Sequence, residues 1–300
     1  MIRGMADFAA MCSSALLACG IAAAQPGMDA EPDPARPMLV SQTDGLVAGA
    51  TNTLAVSFDL DEGWHVYWPG QNSTGFAPTI ELTLPEGWSA GAVRWPAPHR
   101  HVLPGEILDY IYEDGEATFL IPVTIPEDAA TGPVRLSADL EWLVCREACI
   151  PGWGTVMLET TVLPPTARPR PSAAAARIET ARKRLPVVLR KTKDGPLPAI
   201  ETSRRGERFE IRVRPERIEG GVEWIAFYPA EDGAPVADPI RSALSMRDET
   251  GAAGPLVLRV DGSGPVRGIV EVKRVGERAS LLYRIDTRPA NETLTPAGGG

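Results

Sequence analysis

The 300-residue chain is 44% hydrophobic and 23% charged with a formal net charge of −9, a soluble composition that excludes a polytopic membrane protein, a collagen-like repeat and a wholly disordered chain. At roughly 100 to 200 residues per domain there is room for about two domains. The 29 glycines and 29 prolines, with Ala-, Val- and Thr-rich runs between them, disfavour long helical bundles and favour short strands joined by turns.

The first element in the chain reads as an export signal. Arg3 opens a short basic region, and residues 8–23 carry no charge, which suits a signal's apolar stretch and is too short to span a bilayer comfortably. Ala22, Ala23 and Ala24 form an A-x-A-like cleavage site before Gln25, so residues 1–24 are expected to be removed. Leu16-Leu17-Ala18-Cys19 carries a competing reading, a bacterial lipoprotein box that would lipidate Cys19 and tether the protein to a membrane; an uncleaved anchor is the third. Residues 25–38, acidic and Pro-rich, read as a disordered leader. No later run is long and apolar enough for a helical span, so the body is expected in an exported, oxidising compartment.

The next segments read as strands: residues 54–58, 80–84, 117–125, 134–144 and 155–163. Ile80, Leu82 and Leu84 alternate as in half-buried sheet. Turn chemistry separates the strands at Asp61-Glu62-Gly63, Pro85-Glu86-Gly87, Glu113-Asp114-Gly115 and Thr131-Gly132-Pro133. Residues 25–167 hold 20 acidic and 5 basic side chains, whereas residues 168–300 hold 18 acidic and 24 basic. Between these halves lies a Pro-, Ala- and Arg-rich linker, residues 166–190, whose prolines stiffen it and whose alanines permit a helix. Its basic run lacks interleaved aromatics for base stacking, so no nucleic-acid partner is expected; Ala176, Ile178, Ala181 and Leu185 suit packing on a domain, and contact with the acidic first half is the other reading. Beyond it, residues 208–213, 222–228, 256–260, 269–272 and 281–285 again read as short strands. The fold class expected is all-β, two tandem immunoglobulin-like β-sandwiches (39–165 and 191–289) with a short linker helix and a disordered tail over 290–300.

The four cysteines are Cys12, Cys19, Cys145 and Cys149. The first two fall in the signal, which leaves Cys145 and Cys149 able to bond only with each other in the mature chain. In one extended strand their Cα atoms would stand about 13 Å apart, against the roughly 4.4–6.8 Å of a disulfide, so a bond requires a turn at Arg146-Glu147-Ala148. The loop so closed is short enough that the bond contributes only about 2 kcal/mol by chain entropy, a weak staple for two domains. A static disulfide, a redox-active pair and a metal site all stand at this point; the metal reading lacks further soft ligands, His99 and His101 falling in a Pro-rich loop expected to be exposed. His65 reads as a partly buried strand residue, and Trp64, Tyr67 and Trp68 as core. No G-x-S-x-G nucleophile motif occurs.

From about Thr51 to Leu163 the residues resemble the N-terminal periplasmic domain of the DsbD thiol:disulfide interchange proteins, including the relatives grouped with suppressors of copper sensitivity. The pieces that carry the resemblance run in order: Gly63-Trp64-His65-Val66-Tyr67-Trp68-Pro69-Gly70, Pro78-Thr79, Trp95-Pro96-Ala97-Pro98-His99-Arg100, Asp109-Tyr110-Ile111-Tyr112, Ile121-Pro122-Val123-Thr124-Ile125 and Cys149-Ile150-Pro151-Gly152. The resemblance implies a periplasmic module whose Cys145/Cys149 pair passes electrons to exported thiol–disulfide partners, with Cys149 exchanging and Cys145 resolving. It also implies a cap loop over the pair, which Asp109, Tyr110 and Tyr112 match best as partner-binding residues. Family members continue into membrane and thioredoxin-like segments, so the electron donor here is expected to be a separate membrane carrier or thioredoxin-like protein. No cofactor and no metal is expected. The second half looks like the extra domain of the copper-sensitivity relatives, and the exchange reading extends to a link with copper tolerance or cytochrome c maturation. The rival expectation is a non-catalytic tandem β-sandwich that binds or scaffolds and whose disulfide is structural.

Overall fold

The computed structural model describes residues 33–113, 115–188, 200–205, 208–213, 220–236, 238–242, 244–246, 256–260 and 264–286. The expected signal peptide with Cys12 and Cys19, most of the leader, part of the linker and the tail lie outside the described residues. No helix among the described residues is long and apolar enough to cross a membrane.

The strands of the first half are β1 (Ala35–Ser41), β2 (Leu46–Val47), β3 (Thr51–Leu60), β4 (Val66–Tyr67), β5 (Thr79–Thr83), β6 (Ser89–Ala90), β7 (His99–Leu103), β8 (Ile107–Tyr112), β9 (Glu116–Thr124), β10 (Gly132–Cys145) and β11 (Cys149–Leu163). Helix α1 (Ala175–Lys183) leads to β12 (Val187–Val188), β13 (Ile200–Arg205), β14 (Arg208–Val213), β15 (Val222–Pro229), helix α2 (Pro239–Ser242), β16 (Leu244–Met246), β17 (Leu256–Val260), β18 (Arg267–Arg274) and β19 (Leu281–Asp286). The described residues are therefore all-β with one helix of more than a single turn.

Two four-stranded sheets, β1-β3-β9-β6 and β2-β11-β10-β5, form the first sandwich. Successive side chains of a strand point to opposite faces. Leu54, Val56 and Phe58 of β3, Phe119 and Ile121 of β9, and Leu136, Leu140 and Trp142 of β10 accordingly meet in one core, where Phe58 stands edge-on to Trp142 with ring centroids 5.6 Å apart. The turn glycines Gly63 and Gly87 have φ of 76° and 81°, a conformation that costs a side-chain-bearing residue. Residues 35–38, expected as the end of a disordered leader, instead open β1: Ala35 and Leu39 are buried, and the whole strand pairs with β3 from Leu54 to Leu60.

A small sheet, β4-β8-β7, extends the first half. His99 and His101, expected in an exposed loop, lie in β7 and are partly buried, because β7 pairs along its length with β8. The second half comprises the sheets β12-β19-β18-β15-β16 and β13-β14-β17. Strand β15 is apolar on both faces for two different reasons. Ile225 and Phe227 pack with Val270 and Val272 in a core of the second half, while Ala226 and Tyr228 join the core of the first.

The seam between the halves is polar as well as apolar. Tyr110 meets Tyr228 edge-on at 5.6 Å. The Gln71 side-chain amide donates to the carbonyls of Ala230 (3.1 Å), Gly233 (3.3 Å) and Ala234 (3.0 Å) and accepts from Val236 N (3.2 Å). Arg100 donates to Ile240 O at 2.7 Å. Helix α1 lays Ile178 and Ala181 on Ala55 and Leu120, with Ala174 and Leu185 partly buried beside them; Ala176, expected to pack, faces solvent. Arg177 reaches Asp59 (2.8 Å) and Ser57 (2.9 Å), so the basic linker is docked on the acidic sandwich.

Candidate functional site

Strands β10 and β11 form a long antiparallel hairpin whose last facing pair is Cys145 and Cys149. Arg146, Glu147 and Ala148 make the turn that the spacing demands. The two cysteines are joined by a disulfide, with Cα atoms 4.1 Å apart. Near the hairpin tip, Gly152 faces Trp142 across the ladder, and a Cβ at Gly152 would overlap the indole. The lack of a side chain there lets Trp142 fill the core up to the end of the hairpin.

The two sulfur-bearing residues differ in surroundings. Cys145 is 3% exposed and packs with Tyr67, Ile111 and Leu143. Its backbone is held by His65, which donates to Cys145 O (2.9 Å) and accepts from Cys145 N (3.0 Å). Cys149 and all three turn residues are exposed to solvent. The Arg146 guanidinium lies over the Trp64 ring, 5.1 Å from its centroid, a cation–π contact that holds the turn's positive charge against the sandwich.

A hydrogen-bonded chain runs from Tyr67, whose hydroxyl stands beside Cys149, into the protein. Tyr67 Oη is 3.9 Å from Cys149 Sγ and 3.1 Å from Thr74 Oγ1. Thr74 Oγ1 donates to Asp109 Oδ2 at 2.7 Å, and Asp109 Oδ1 accepts from the main-chain N–H groups of Ser73 (2.8 Å) and Thr74 (3.0 Å). A carboxylate only accepts, so the Thr74 proton is committed to Asp109 and the Thr74 oxygen accepts from Tyr67. Tyr67 then turns an oxygen lone pair toward the sulfur. Burial, offset in part by the bond to Thr74, raises the Tyr67 pKa above its usual value, so the phenol stays protonated. The His65 ring stands edge-on to Tyr67 at 5.3 Å and 5.5 Å from the His101 ring. Burial and then the neighbouring His101 bring its pKa down to about 4, with Asp109 opposing them, so His65 is neutral at physiological pH.

The residues matched to a cap loop form strand β8 instead. Asp109, Tyr110 and Tyr112 are all buried, because β8 runs between β4 and β7. Asp109 reaches the cysteine pair through Thr74 and Tyr67. Tyr110 serves the seam and stands edge-on to Trp68 at 6.1 Å, and Tyr112 donates to Pro96 O at 2.7 Å while packing on Phe119. Tyr67, read from the sequence as core, and His65, read as a partly buried strand residue, belong to both core and site. Their shared parity in the Trp64–Trp68 run was the available signal, since residues two apart in a strand share a face. Among the described residues no group of three or more His, Cys, Asp or Glu side chains is placed to hold a metal.

The family model "Thiol:disulfide interchange protein DsbD, N-terminal" matches residues 36–160. No curated protein matches the chain. Among solved structures, the N-terminal periplasmic domain of ScsB from Proteus mirabilis is similar, with 18% identity and a TM-score of 0.55 over 86% of this chain and 94% of that one. The reduced N-terminal domain of DsbD from Neisseria meningitidis is 14% identical with a TM-score of 0.27, covering 46% of this chain and 91% of that one. The ScsB likeness shows the fold.

Proposed function

From the premise that residues 36–160 form a DsbD N-terminal-like domain, we propose that this thiol–disulfide interchange module works in the periplasm, passing electron pairs from a membrane or thioredoxin-like donor to exported thiol–disulfide proteins. The supporting observation is the asymmetry of a single disulfide at a hairpin tip, with Cys149 open to solvent and Cys145 buried. An attacking thiolate needs an approach in line with the S–S bond, and the accessible sulfur is the one a protein partner reaches.

In the reducing direction the Cys149 thiolate attacks a partner disulfide. One partner sulfur leaves as a thiolate with the electron pair, and a mixed disulfide through Cys149 remains. The Cys145 thiolate then attacks Cys149 Sγ, releasing the second partner thiolate and regenerating the Cys145–Cys149 bond. A donor dithiol reloads the pair by the reverse sequence at the same sulfur. Cys145 is held by His65 and Tyr67 at bonding distance from its target, so resolution is intramolecular and outruns release of a trapped complex. Copper tolerance or cytochrome c maturation is the downstream use in this reading, and lipidation at Cys19 would tether the module to its membrane.

The test is an equilibrium titration of the pair in a dithiothreitol or glutathione series, combined with trapping by Cys145→Ala. The expected result is a potential above about −300 mV and a mixed disulfide that accumulates through Cys149. A more negative potential together with no trapped species would assign the bond a structural role.

A further inference from the structure

Strand β11 pairs with β10 from Cys149 to Val162, but with β2 only at Val162 and Leu163. From Cys149 to Thr161 its outer edge has no strand partner among the described residues. The matching edge of β10 is occupied, by His65 at Cys145 and by β5 from Ser137 to Glu141. The register decides which groups the open edge presents. Cys145 commits both its N–H and its C=O to His65, so Cys145 and Cys149 face each other as a non-hydrogen-bonded pair, and Cys149 directs its own main-chain groups outward. With a period of two, Trp153, Thr155 and Met157 do the same. Pro151 falls in this outward set, where its missing N–H leaves the β10 ladder intact.

Open edges of this length are normally short, charged or covered, because they template pairing with other chains. Pro151 and Glu159 fall on this edge, but between and around them it carries large exposed apolar side chains: Ile150 is 43% exposed, Trp153 75% and Met157 63%. Exposed aromatic and methionine side chains are the residue types that anchor protein partners. The edge also starts at the accessible sulfur, so a strand laid on it is carried directly to the reacting atom.

We propose that the open edge of β11 docks an extended segment of a thiol–disulfide partner by strand addition, setting the partner's cysteine over Cys149 Sγ. This rests on the exchange reading above and specifies how the partner is held. Main-chain hydrogen bonds supply sequence-tolerant affinity, while Trp153 and Met157 favour apolar side chains at alternate positions of the segment. Such a module accepts several partners that share an extended cysteine-bearing stretch and little else.

The experiment uses the full chain bearing Cys145→Ala and three activated disulfides of thionitrobenzoate. One is with a Val- and Thr-rich peptide containing a single cysteine, one with the same peptide N-methylated at alternate residues, and one with glutathione. In each reaction the Cys149 thiolate bonds to the peptide or glutathione sulfur, and thionitrobenzoate departs with the electron pair; mass spectrometry places the product at Cys149. The unmodified peptide is expected to react about tenfold faster than its N-methylated twin, the worth of one to three net hydrogen bonds. Thr155→Pro, which removes one outward donor, is expected to shrink that ratio toward one. Equal rates for the two peptides, with glutathione reacting normally, overturn strand addition and leave exchange standing. Failure of all three probes at Cys149 overturns the exchange reading itself. A reversible dimer of the chain that Thr155→Pro disperses would give the edge to a second copy and overturn the proposal.

Discussion

The two sides of the disulfide are built on opposite plans. On the Cys145 side, the residue is held from several directions: His65 holds the backbone, Tyr67 and Ile111 pack on the side chain, and Thr74 and Asp109 anchor Tyr67. On the Cys149 side, the chain runs into an exposed strand edge with apolar side chains in water. The contrast teaches that packing and exposure are segregated across a single covalent bond. The buried half is held on both its backbone and its side chain, and the open half leaves Cys149 and the strand that follows it in contact with solvent.

That division is most exposed to attack at Asp109. Asp109→Ala strands the N–H groups of Ser73 and Thr74 and the Thr74 hydroxyl without an acceptor, and a loss of about 3 kcal/mol in urea unfolding is expected. A loss under about 0.5 kcal/mol would mean that the buried side is not held by this network. A second effect, of comparable or lesser size, is expected on acidification. His65 has a folded-state pKa of about 4 against its ordinary 6.5. The unfolded chain therefore takes up a proton that the fold refuses, and stability falls as the pH drops from 6.5 toward 4, levelling below that. The difference in unfolding midpoint between the natural chain and His65→Gln isolates this contribution from the carboxylates, and a pH-independent difference would remove His65 from the buried side. The smallest stability effect belongs to the open side: Trp153→Ser is expected to change unfolding by no more than about 0.5 kcal/mol. A large loss would show that Trp153 is part of the fold after all.

The cysteine hairpin was legible because four-residue spacing leaves the chain only one way to close the bond. The long strands β3, β9, β10 and β11 were legible through alternation, as was the boundary helix α1 through its alanines. Strands β7 and β8 were not, because short His- or Pro-flanked strands carry too few periods to register, and β4 was legible only as a strand position at His65. The partners of Asp109 could not be read at all: Thr74 lies 35 residues away and meets it only because the segment after β4 folds back along β8. Likewise, the run in β15 announces burial on both faces without saying that one face belongs to the other sandwich.

Gln71 ties that other sandwich to the first with all four of its amide bonds, three residues before Thr74. The consequence concerns divisibility. The composition break near residue 167 invites a cut there, yet a chain ended at that point would leave the Gln71 amide without its partners and open the Tyr110 face to water. In its covalent order the protein has two halves; in its solvation it has one, and the second sandwich is part of what keeps the first one dry.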